Sequence, residues 1–231
     1  MADMDSPGTD QPIAEVEDSP ATESPAAVVD PADIDRFLIR QRFALMVNQY
    51  EVSTLGEDGK SAGEPVCFVE QKRMKLKEDL RAFTDDSKTA EVFRIKAKQV
   101  WDPRARYDVT DAGGRQIGQL QKVFGKSLLR STWRIYDAGG EEIGWARERN
   151  AFVAVFRRVI GLIPFIGDFL ELLPIPYHFD YFVGENRIGG LERILGLRDR
   201  YRLDVSGDAD RTIDRRVVLA LAVGMDALQA R

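Results

Sequence analysis

Near its end the chain runs through nine residues that carry neither charge nor hydroxyl, Val217 to Met225, within "DRRVVLALAVGMDALQAR" (214–231). A surface helix keeps its apolar residues to one stripe, so a helix that is apolar all round has to be buried all round. At 1.5 Å per residue the run is roughly 14 Å long, about half a bilayer core, whereas a spanning helix needs about 20 apolar residues. The segment therefore belongs inside a protein. Ala and Leu favour helix, and Asp214 is placed to cap it. Each fully buried Val or Leu contributes about 1.5–3 kcal/mol, so Val218, Leu219, Leu221, Ala222 and Met225 should form the centre of the core. The rest of the chain decides what can surround a helix on every side.

From Arg36 to about Val205 the pattern is mostly strand-like. "RFALMVNQYEV", "EPVCFVEQKR", "AEVFRIKAKQV", "RYDVTD", "LRSTWRIYD", "FVAVFRR" and "YHFDYFV" are short and rich in β-branched and aromatic residues, with Gly, Asp or Pro between them. "KLKEDLRAFTDD" (75–86) reads instead as a short helix or a long connection. An internal repeat stands out. "YDVTDAGGRQIGQL" (107–120) recurs as "WRIYDAGGEEIGWA" (133–146), with a weaker echo in "FDYFVGENRIGGL" (179–191). Each copy spells strand, tight turn, strand, and Gly supplies the positive φ that hairpin turns need. The Ile-Gly after each turn (117–118, 143–144, 188–189) marks a bend or a neighbour that only Gly admits. Repeated hairpins without alternating helices argue for an antiparallel barrel or sandwich. In an all-β protein, the inside of a barrel is the natural place for the apolar helix.

Residues 1–35 differ in kind. They hold ten Asp and Glu, no Lys or Arg and no aromatic residue, which predicts an acidic disordered tail. The remainder carries 33 basic against 28 acidic residues, so a mildly basic body (36–231) follows a strongly acidic leader.

The combination resembles the tubby-like fold shared by phospholipid scramblases and LURP-one-related proteins, as a bacterial-type member. The residues that carry the likeness are "FTDDSKTAEVFRIKAKQVWDPRARYDVTDAGGRQIG" (83–118), "YDAGGEEIG" (136–144), "RDRYRLDV" (198–205) and "DRRVVLALAVGMDAL" (214–228). The resemblance implies a mainly β chain: a closed antiparallel β-barrel of about 12 strands enclosing a hydrophobic C-terminal α-helix. It also implies lipid binding, with scramblase-like activity as a further expectation. Calcium dependence does not carry over. Read as a calcium loop from Asp208, the sequence has Ile213 where Gly is needed and Leu219 where Glu is needed.

Catalytic chemistry has little to stand on. His178 is the only histidine and Cys67 the only cysteine, so an intramolecular disulfide, CxxC and multi-His zinc sites are excluded by count. "GKS" at 125–127 lacks the Gly that a P-loop places five residues earlier, where Leu120 stands. The pairs Asp85-Asp86 and Glu141-Glu142 sit in or beside turns and point opposite ways on a strand. We expect no catalytic, cofactor or metal residues.

One stretch suggests an interaction. Residues 155–176, "VFRRVIGLIPFIGDFLELLPIP", are unusually apolar for a connection. Ile166, Phe169, Leu170 and Leu173 fall at helical spacing behind Arg157 and Arg158. Basic residues recur at Lys122, Lys126 and Arg130, around Arg147 and Arg149, and in 192–202. Two readings follow. Arg157, Arg158, Lys122, Lys126 and Arg130 can meet the headgroups of an anionic phospholipid membrane while Ile166, Phe169 and Leu170 enter its interface. Alternatively, the protein is a soluble scaffold or adaptor whose insert mediates homodimerisation or protein binding. No nucleic-acid recognition motif is present. The lack of a basic, apolar leader argues against a signal peptide and the single cysteine fits a cytoplasmic protein, which the membrane reading would set at the inner membrane face.

Overall fold

The computed structural model describes residues 29–42, 47–72, 79–97, 106–123, 131–149, 178–194 and 200–229. Twelve strands follow one another: β1 (Arg36–Arg42), β2 (Val47–Leu55), β3 (Ala62–Lys72), β4 (Asp79–Phe83), β5 (Glu91–Ala97), β6 (Arg106–Asp111), β7 (Gln116–Val123), β8 (Thr132–Tyr136), β9 (Glu142–Glu148), β10 (His178–Val183), β11 (Asn186–Ile194) and β12 (Arg200–Asp204). Each pairs antiparallel with the next, and β12 pairs with β1, which closes the barrel. One α-helix, α1 (Arg215–Gln229), ends the described chain.

The repeated Asp-Ala-Gly-Gly motifs make the turns between β6 and β7 and between β8 and β9. Asp111 Oδ1 accepts the N–H groups of Gly113 and Arg115 at 3.0 and 2.9 Å, and Asp137 Oδ1 accepts that of Glu141 at 2.8 Å. Gly114 and Gly140 take φ of +78° and +87°, a conformation that glycine adopts without strain. The third copy forms the β10–β11 hairpin.

Directly opposed residues share a face, so one register sets both surfaces of the sheet. Across β1, β12, β11 and β10, Phe37, Leu203, Leu191 and Phe179 stand opposite one another, all buried. They face α1, whose Val217–Val223 and Met225 are at most 3% exposed. Asp214 caps the helix: its Oδ1 accepts Arg216 N–H at 2.9 Å, and its carbonyl accepts those of Val217 and Val218. The described part of α1 is not long and apolar enough to cross a membrane, nor is any other described helix.

The Ile-Gly positions explain how the helix gets in. A Cβ on Gly118 would lie 2.8 Å from Val217 Cγ2 and 3.0 Å from the Tyr136 carbonyl oxygen. On Gly144 it would lie 2.8 Å from Ile213 Cδ1, and on Gly189 only 1.9 Å from the Asp204 carbonyl oxygen. Two of the three repeats thus give up a side chain where the first turn of α1 and its lead-in press against the wall. The third does so where the chain leaving β12 crosses over.

Two expectations change. Residues 79–83, within the stretch read as a helix or connection, form strand β4 between β3 and β5. Leu80 and Ala82 alternate inward, and pairing on both sides outweighs the helix preference of Lys, Leu and Glu. The structure also describes residues 29–35, within the stretch read as a tail. Pro31–Asp33 form a 3-10 turn, capped by Asp30, that lies against α1. The "FVAVFRR" segment (152–158) lies outside the described residues.

Candidate functional site

The barrel's interior is taken by its own helix, and its polar groups there serve the fold. At the mouth where α1 enters, Arg215 is 1% exposed. Its Nε donates to Asp35 Oδ1 at 2.6 Å, Nη1 to Asp208 Oδ2 and the Ile213 carbonyl, and Nη2 to the Asp208 carbonyl. Arg211 ties the same leader through the carbonyls of Ala32 and Asp33. Asp208 Oδ1 and Oδ2 also accept the N–H groups of Thr212 and Ile213. Burial disfavours its charge, but these donors and Arg215 outweigh that and hold the carboxyl below its ordinary range. Asp208 in the acidic loop before the helix is therefore committed to an arginine.

The two residues that nucleophilic chemistry would use are apart. Cys67 is buried on β3, and burial pushes its thiol up to about 12, which leaves almost no thiolate at neutral pH. His178 opens β10, where burial, then Arg149, lowers its pKa. Among the described residues no group of three or more His, Cys, Asp and Glu could hold a metal ion.

The outer face is different. One residue along from the buried row, the same register aligns Arg147, Asp180, Gly190, Asp204 and Arg36 across β9, β10, β11, β12 and β1. A second row sets His178, Glu192 and Arg202 side by side. Arg149 and Arg187 both bind Asp180, at 2.9 and 2.8 Å; Arg149 also reaches Glu192 at 3.0 Å, and Arg202 binds Glu192. Arg36 lies 3.4 Å from Asp204. Burial raises the Asp180 pKa, but Arg149 and Arg187 overcome it, and Arg202 is the main cause of a lowered Glu192. Asp180 and Glu192 are thus ionised at neutral pH; with Asp204 they meet four arginines, one more than their own number.

At Gly190 the lattice closes on the strand: a Cβ there would lie 2.6 Å from the Phe179 carbonyl oxygen and 3.4 Å from Nη2 of both Arg149 and Arg187. Beside it is a depression of about 490 Å³ lined by Arg36, Arg187, Arg202, Glu192, Asp204 and Ser206, over a floor that includes Gly189, Gly190 and Gly207. Arg36, Arg187 and Arg202 remain 43%, 52% and 40% exposed, so each keeps donors for a ligand. Exposed ion pairs contribute only about 0.2–1 kcal/mol apiece. Their consequence is positional: the carboxylates hold planar guanidinium forks in fixed orientations, the form in which arginine grips phosphate bidentately.

A third outer row joins Arg134, Trp145, Phe182 and Arg187 across β8, β9, β10 and β11. Trp145 and Phe182 stack, with centroids 4.0 Å apart and planes 7° from parallel.

The candidate contacts named from sequence are only partly placed. Lys122 is half-buried on β7, opposite Trp133, with Nζ 5.9 Å from the indole centroid. Lys126, Arg130, Arg157, Arg158, Ile166, Phe169 and Leu170 lie outside the described residues. Arg149 and Arg202, flagged only as members of basic stretches, come together through Glu192. Arg36, Arg187, Asp180 and Gly190 had no signal in the sequence. Knowing the register of β10 with β11 would have found the last three.

A family model described as LURP-one-related matches residues 66–226, more than half of the 231-residue chain. No curated protein matches it.

Proposed function

The chain belongs to the LURP-one-related family, in the tubby-like superfamily, and from that premise we propose that it is a non-enzymatic, peripheral phospholipid-binding protein. The family suggests a lipid-binding fold. The observation that carries the reading is the pairing of a filled interior with a cationic exterior. Because α1 occupies the barrel, an acyl chain has no room inside. A ligand has to bind outside, where Arg36, Arg187 and Arg202 surround a polar depression. Anionic headgroups fit those guanidinium forks, and each basic residue near an anionic leaflet contributes about 1 kcal/mol.

Co-sedimentation of the full chain with vesicles tests this. Binding to phosphatidylcholine vesicles containing phosphatidylserine should exceed binding to phosphatidylcholine alone and should fall as salt rises. The double variant Arg187→Ala, Arg202→Ala should bind markedly less. A chain that stays in the supernatant with anionic vesicles at low salt removes the proposal.

A further inference from the structure

Resting on that lipid-binding reading, we propose that the protein seats on an anionic bilayer through the outer face of β9 and β10, with the Trp145–Phe182 pair at headgroup level and Arg147 on lipid phosphate. Both rings are partly exposed on the outside of the barrel. Trp145 Nε1 donates to the Gly184 carbonyl at 2.9 Å, which fixes the indole and satisfies its only donor. Arg147 Cζ lies 5.2 Å from the Trp145 centroid and 6.0 Å from that of Phe182. Its neighbours are paired: Arg134 with Glu142 at 3.2 Å and Arg187 with Asp180. Arg147 is exposed and, among the described residues, makes no ion pair.

A bilayer fits this arrangement better than a nucleic acid does. A base stacks on an open ring face. Here the rings cover each other, and Arg147 lies over both. Indole at headgroup depth with a cation beside it is the chemistry of a membrane interface. The face is also continuous with the arginine lattice, since Arg147 opposes Asp180 and Phe182 opposes Arg187. A surface held by Arg187 and Arg202 would lie against Trp145 as well.

Trp145 is its own reporter. The other tryptophans are Trp101 and the buried Trp133, so the difference between wild type and Trp145→Phe isolates its emission. We expect the wild-type spectrum to shift to the blue on phosphatidylcholine–phosphatidylserine vesicles and to be quenched by brominated lipids. Trp145→Phe should lose that quenching. Arg147→Ala, which leaves the rings intact, should bind about fivefold more weakly, the share of one interfacial cation. Sedimentation without Trp145-dependent quenching would place the membrane on another face and overturn this inference alone. Failure to sediment at low salt would overturn it together with the lipid reading. Quenching by single-stranded DNA in place of vesicles would overturn it in favour of a nucleic-acid partner.

Discussion

Arg215 is the charged side chain on which the mouth of the barrel closes. It joins the leader at Asp35, 180 residues away in sequence, to the loop at Asp208 and to the first turn of α1. Removing one member of a buried pair strands the other charge, at a cost of about 3–5 kcal/mol. Arg215→Met should therefore lower unfolding free energy by about that much in urea melts. A double-mutant cycle with Asp208→Asn should show coupling above about 0.5 kcal/mol. The same carboxylates set the acid limit. Asp208, Asp79, Asp180 and Glu192 are all held below their ordinary values, Asp79 because Arg94 and Arg81 outweigh its burial. A depressed native pKa stabilises above the unfolded value, near pH 4, and that contribution goes as pH falls through the native value. His178 adds a shallow loss below about pH 6.5, because its lowered pKa favours proton uptake by the unfolded chain. Melting temperature should thus drift slightly between pH 7 and 5 and drop steeply below about 4. Asp208→Asn should start lower and fall less. None of this lock was legible in the sequence, where Asp35 is one acidic residue in an acidic leader and Asp208 looked like a failed calcium ligand.

Elements were easier to read where the signal was local. The two Asp-Ala-Gly-Gly turns and the capped helix use residues within a few positions of one another; the Ile-Gly positions were marked by their repetition, although what they admit, Val217, Ile213 and Asp204, is distant in sequence. Strand β4 was missed because its reason lies in its neighbours. Asp79, which looked like helix sequence, receives two bonds from Arg94 on β5, at 2.7 and 2.6 Å. The glycines give a comparison within one repeat. Gly118→Ala would push a methyl into Val217 and the Tyr136 carbonyl, and overpacking of that kind costs about 1–3 kcal/mol. Gly113 in the adjoining turn has negative φ and meets only Asp111 Oδ1, at 3.4 Å. Gly113→Ala should therefore change the urea midpoint little, and Gly118→Ala should lower it clearly. Equal effects would mean that α1 does not press on the wall at that glycine.

At the scale of the whole molecule, a barrel plugged by its own helix can present chemistry only at its rim and outer wall. Charge then decides which surfaces it approaches. The leader and the body have opposite signs, and residues 1–28 hold seven carboxylates and no cation. We expect them to compete with an anionic surface for the arginines of β1 and β9–β12, through the summed field and without a specific contact. Removing 1–28 leaves the described chain from Val29 and the Asp35–Arg215 pair intact. Loss of the seven carboxylates takes the formal net charge from −5 to +2. Binding to phosphatidylserine vesicles should therefore tighten at low salt, where the Debye length reaches across the wall, and the gain should vanish at high salt. Vesicles of phosphatidylcholine alone should not distinguish the two forms. Equal affinity of both forms for anionic vesicles at low salt would show that the leader does not act on the outer face, and its acidity would need another partner.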